Sequence, residues 1–159
     1  MTIRSWFELR GLPVVITDEG RSVGVVDDFY YKLETNSIYA LRVKSSIFGL
    51  GYRVLSASAI STIERAAVTI ASDSMLIAEA NSGHLLELPT SSSLLSSVVK
   101  SEDGNVLGKV DSILLATNPP VALRIAAYQL DNGKRFSANE VTEYDENVMY
   151  ILNKAAAKL

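Results

Sequence analysis

The chain has no cysteine and only one histidine, His84, in 159 residues. The first absence excludes disulfides and thiolate metal sites and suits either a reducing cytosol or a cysteine-free exported protein. With one histidine and scattered serines, no serine triad can be read. His84 lies in a Ser-rich stretch with Glu79 and Glu87 as its nearest acids, the setting of a solvated side chain. Long apolar runs are missing too, and none approaches the ~20 residues that cross a bilayer. The N-terminal MTIRSWFELRGLP lacks the apolar core and small-residue cleavage site of a signal peptide. Basic clusters are equally scarce. Net charge is −3 and the pI about 5.2, so a nucleic-acid backbone is not the favoured partner. The expected location is the cytoplasm, free or peripheral on a membrane complex.

What is present is 48% apolar and 21% charged residues, an ordinary globular composition, with a mean hydropathy of +0.18. That value is slightly high and hints at apolar surface kept for a partner. The clearest feature is a repeat. VITDEGRSVGVVDD at 15–28 returns 84 residues later as VKSEDGNVLGKVDS. Val15/Val99, Gly20/Gly104, Gly24/Gly108, Val26/Val110 and Asp27/Asp111 coincide. YALRV at 39–43 answers VALRI at 121–125, SASAI at 56–60 answers SANEV at 137–141, and VTI at 68–70 answers MYI at 149–151. The offset drifts through 82 to 81, as loop insertions would make it. Matches in the same order imply two copies of one unit: a first module at 5–72, a linker at 73–88, a second module at 89–152 and a short helical tail at 153–159.

Each module reads as β. DEG and EDG are turn signals with Gly20 and Gly104 placed for positive φ. A long strand follows each turn. In SIYALRVK, alternation assigns Tyr39, Leu41 and Val43 to one face and Ala40, Arg42 and Lys44 to the other. Leu123 and Ile125 point inward in the second copy, with Arg124 outside. A module of about 65 residues buries a modest core and must close its sheet or leave adhesive edges. A small bent barrel results, with Gly24 and Gly108 at a bulge or sharp bend.

ELRGLPVVITDEGRSVGVVDDFYY at 8–31 resembles the opening of a PRC-barrel domain, the small β-barrel named after the H subunit of photosynthetic reaction centres. Leu9, Gly11, Val15, Gly20, Gly24, Val26 and Asp27 carry the first part of the likeness, and Ser56, Ala57 and Ile60 the second. Val99, Gly104, Gly108, Val110 and Asp111, then Ser137, Ala138 and Val141, carry it in the second copy. Both copies have Ser where a proline often precedes the alanine, and the second has Leu95-Ser96-Ser97 in place of Gly-Leu-Pro. The resemblance implies two tandem PRC-barrel-like β-barrels. It implies adaptor or assembly work of the kind found in reaction-centre subunits and a ribosome-maturation factor.

Candidate chemistry is thin. Asp27 and Asp111 recur at one repeat position. They are read as structural residues, capping a turn or pairing with the recurring Arg42 and Arg124, in preference to metal ligands or catalytic acids. The acidic turns fail the alternating pattern of an EF-hand. GNVLGK at 104–109 is one residue short of a phosphate loop and lacks its Ser or Thr. Neither a metal nor any other cofactor is expected.

KSSIFGLGYR at 44–53 places Ile47, Phe48 and Leu50 around glycines in a loop, where polar residues are the rule. The segment in the second copy, AAYQLDNGKR, is plain. Phe48 either plugs its own barrel, packs on the other module, or joins Ile47 and Leu50 as a contact for a partner protein or a second copy of the chain. Trp6 and Phe7 cover an open barrel end or seal the interface between modules. The expected function is a non-enzymatic adaptor or assembly protein binding another protein, with a photosynthetic or other membrane-associated complex as the first place to look. The alternatives are ribosome or RNA maturation and, last, a small-molecule-binding regulatory module.

Overall fold

A computed structural model describes residues 2–46 and 51–159. The first half carries β1 (Ile3–Ser5), α1 (Trp6–Leu9), β2 (Pro13–Ile16), β3 (Ser22–Lys32), β4 (Ser37–Ser45), β5 (Tyr52–Ser56), β6 (Ile60–Ile63), β7 (Val68–Ile70) and β8 (Leu76–Ala78). The second carries α2 (Ser91–Leu94), β9 (Val98–Ser101), β10 (Val106–Ala116), β11 (Arg124–Leu130), β12 (Arg135–Ser137), β13 (Val141–Asp145), β14 (Val148–Ile151) and α3 (Asn153–Ala156). The stretch expected as linker thus supplies β8, which pairs with β5.

The same pairing scheme runs through both halves. In the first the order is β6-β7-β2-β3-β4-β5, and in the second β13-β14-β9-β10-β11-β12. One pair in each is parallel, β2 with β7 and β9 with β14. The two ends of each order are separated only by a three-residue 3-10 turn, Ala57–Ala59 or Ala138–Glu140. A sheet whose ends are tied so closely has to curl on itself, which protects its edges.

The glycines at the bend are needed for space as well as conformation. A Cβ on Gly24 would lie 2.5 Å from the Lys44 carbonyl oxygen, and one on Gly108 2.8 Å from Asp131 Oδ1. Both sit beside register shifts, where β2 meets β3 and β9 meets β10. Gly20 and Gly104 adopt φ of 65° and 90° in the acidic turns, each amide bonding back to the strand before it. Gly24→Ala is expected to cost about 1–3 kcal/mol, because the obstacle is backbone and cannot swing away. Urea unfolding checks it; a midpoint equal to wild type would contradict it.

The halves are not two beads on a linker. One hydrophobic cluster runs from Trp6 and Val14 through Phe29 and Leu55 to Tyr128, Met149 and Ala155. The pairings that join the halves come in reciprocal sets. Ser5 of the first half opposes Leu114 of β10, and Thr90, before α2, opposes Tyr30 of β3. Ile38 N donates to Leu123 O, and Ile125 N to Asn36 O. Ser37 and Arg124 face each other at the centre. Each contact maps onto its mate when the halves are exchanged, the signature of an isologous two-fold interface. Among the described residues, ten of the strands therefore join into one paired path, with β1, β5, β8 and β12 pairing beside it.

The strand register corrects two expectations. Tyr30 opposes Ala40 and Tyr31 opposes Ile38, so Tyr39 is a bulge residue. Ile38 takes the inner face, while Tyr39 is 40% exposed. In the second half Leu114 opposes Ala127 and Leu115 opposes Ile125, which makes Ala126 the matching bulge. Ile125, which the sequence match sets against Val43, therefore answers Ile38, and Arg42 is answered by Gln129. The apparent match of YALRV with VALRI is a coincidence of composition. The turn at 117–123 is longer than that at 33–36 and shifts the strand along.

Candidate functional site

Asp27 and Asp111 occupy the same place, each an extra residue in a bulge of the long strand, between Val26 and Asp28 or Val110 and Ser112. Their partners differ. Arg42 Nε and Nη2 donate to Asp27 Oδ2 at 2.8 and 2.5 Å, and the Arg42 guanidinium lies 4.5 Å from the Tyr52 ring centroid. Arg124 lies opposite Ala116, well along β10 from Asp111, so the expected recurrence of the Asp–Arg pair fails in the second half. Asp111 is exposed. Ile47, Phe48 and Leu50 lie outside the described residues.

Asp28, which the sequence did not single out, is 7% exposed. Its Oδ1 accepts from Phe29 N at 2.7 Å and from Ser91 N at 3.0 Å, and the Ser91 hydroxyl donates to the same oxygen. It thereby caps the start of α2 from the other half of the chain. The reciprocal position is held by Ser112, whose hydroxyl lies 3.3 Å from that of Ser5 at the start of α1. Two part-buried hydroxyl pairs follow, Tyr31 with Ser93 at 3.1 Å and Ser97 with Tyr144 at 3.1 Å, and the Ser97 and Tyr144 hydroxyls both donate to the Ser93 carbonyl.

Burial pushes the Tyr31 hydroxyl up to about 12, offset in part by its bond to Ser93. Burial also raises Tyr128, and burial followed by Glu79 raises Tyr30. These are acids whose pKa is higher in the fold, so folding favours the protonated hydroxyl. That contribution is fully present below the ordinary phenol value of about 10 and is lost as pH climbs from there through about 12. Phenolate absorbance is expected to rise in a step coincident with alkaline unfolding, with these three tyrosines ionising as the fold opens. A smooth titration of every tyrosine with the fold intact would contradict it.

Two recesses meet at Tyr39. β5 pairs with β4 only as far as Ala40, and β11 joins the strand at Ser37. Tyr39 stands in the notch left between them. One recess of about 360 Å³ is walled by Ser56, Ser58, Val121 and Arg124. A second of about 360 Å³ lies on the other side, bounded by Lys32, His84, Leu85 and Leu88. Tyr39 and Ser56 line both. Leu85 and Leu88 reach this place because they pack on Tyr30, Ala40 and Val54, and Val121, 70% exposed, projects from the long turn at 117–123. Among the described residues no three His, Cys, Asp or Glu side chains gather as a metal cluster.

The first half's opening, bulge and closing turn agree with a comparison against family models, where residues 1–77 match the PRC-barrel domain. The N-terminal half is a PRC-barrel domain. No curated protein matches the chain. The match covers the part of the PRC-barrel domain that contains Tyr39, Lys32 and Ser56. The remaining walls of the notch come from residues beyond it, His84, Leu85 and Leu88 and the stretch 121–124. Sequence reading passed over Tyr39 because strict alternation placed it inward. The signal against that is present: in Ile38-Tyr39-Ala40-Leu41 an apolar residue stands at every position, so alternation alone does not assign a face there.

Proposed function

We propose that this chain is a non-enzymatic adaptor or assembly protein that binds another protein, and that the notch around Tyr39 is the surface it uses. The observation that carries the reading is an exposed aromatic side chain between two recesses. Tyrosine contributes large contact area at low entropic cost and is enriched where proteins meet. The PRC-barrel resemblance to subunits of larger assemblies points the same way. We read residues 89–152 as a diverged second copy of the 5–72 unit, which locks the notch in place. A membrane-associated complex, photosynthetic or other, is the first place to look for the partner; no helix among the described residues is long and apolar enough to cross a membrane.

Affinity capture from the native host tests this, with Tyr39→Ala as the control. The expected result is a protein retained at high salt and after ribonuclease treatment by wild type, and lost with the variant. The second reading, RNA maturation, draws on Tyr39 standing near Lys32 and Arg124, since single-stranded RNA binds by stacking beside cations. Salt-sensitive retention of RNA would favour it and count against the adaptor.

A further inference from the structure

The two-fold relation between the halves gives the recess between the 56–58 turn and the 117–123 turn a counterpart. The equivalent recess, about 270 Å³, lies where the turn at 33–36 meets the second half's 3-10 turn, and is lined by Glu34, Asn36, Asn139 and Thr142 among others. The second half's bulge residue is Ala126 where the first has Tyr39, and among the described residues no aromatic side chain lines this second recess. Two sites of one origin have therefore taken opposite characters. The second is lined by aliphatic Leu33 and Val141 beside two amides, Asn36 and Asn139, and carries the Glu34 carboxylate. The first is aromatic, and the ionisable side chains on its walls besides Tyr39 are Lys32, His84 and Arg124.

That lining is unusual for this chain. Asp and Glu outnumber Lys and Arg, 18 to 15, yet none of the acids lines either recess at Tyr39. The walls between the cations mix the hydroxyls of Ser37, Ser56 and Ser58 with apolar Leu85 and Leu88 on one side and Val121 on the other. Resting on the adaptor reading, we infer that the notch holds an extended acidic segment of a partner protein, with an apolar side chain against Tyr39 and carboxylates directed to Lys32 and Arg124. An open strand end and a bulge leave room for backbone to lie along the notch, and charge complementarity selects the acidic occupant over a basic one.

The test uses phage-displayed random peptides panned on the full chain. The peptides recovered are expected to carry Asp or Glu flanking an apolar residue. They should bind roughly tenfold more weakly to Tyr39→Ala and to Lys32→Glu, and equally well to Thr142→Ala in the opposite recess. Tyr39→Ala installs the residue that the second half already has at its bulge, so the variant keeps the wild-type melting temperature. Amide shifts on titrating a recovered peptide should centre on residues 37–39, 56–58 and 121–124. Tyr39-dependent peptides without acidic enrichment would overturn this inference while leaving the adaptor reading intact. Recovery of no Tyr39-dependent peptide, with an oligouridine producing those shifts instead, would overturn both.

Discussion

Asp28→Ala is expected to destabilise the chain by about 3–5 kcal/mol, the largest effect of any single polar substitution here. The carboxylate is buried, and its loss strands Phe29 N, Ser91 N and the Ser91 hydroxyl at once. An unsatisfied buried donor costs about 1–3 kcal/mol. The start of α2 loses its cap, and with it one of the contacts tying the second half to the first. At about 2–4 °C per kcal/mol for a chain of this size, melting should fall by roughly 10 °C. Asp28→Asn retains an accepting oxygen and is expected to lose about half as much. Thermal and urea unfolding measure both; an Asp28→Ala variant within about 1 kcal/mol of wild type would show that the cap is dispensable.

Trp6→Ala carries a similar expected cost of about 3–5 kcal/mol, for a different reason. Trp6 has no exposed surface and its ring meets Phe29 edge-on, with centroids 4.9 Å apart. It belongs to the cluster that also holds Met149 and Ile151, so the cavity opens in a core shared by both halves. Its Nε1 has no hydrogen-bond partner among the described residues, and Trp6→Phe, which removes that donor, is therefore expected to cost far less. Because the core is common, wild type and Trp6→Ala should each unfold in one transition, with far- and near-ultraviolet circular dichroism coinciding. Two separated transitions, with only the first sensitive to Trp6, would mean that the halves are independent after all.

The repeat made the architecture readable, since a duplicated turn and bend need the same glycines and the same apolar faces. Gly20, Gly24, Gly104 and Gly108 could be placed from sequence because each answers a local demand of the backbone. What escaped was whatever depends on the meeting of the halves. Asp28 looks like the second acid of a pair until Ser91, distant in sequence, is brought beneath it. Arg124 looked equivalent to Arg42 because the letters match, whereas the longer turn at 117–123 moves it to the two-fold centre. Tyr39 was assigned inward by alternation, and only the strand pairing reveals the extra residue that turns it out. A surface assembled from β4, the 56–58 turn, the 117–123 turn and residues 84–88 has no contiguous signature.

The most direct test of the account is cross-linking at the notch in the native host. A photoreactive phenylalanine analogue at position 39, in the full chain, should give one discrete protein adduct, and the same analogue at position 126 should give none. An adduct to RNA at position 39, or equal labelling at both positions, would contradict the claim that this notch is where the protein does its work.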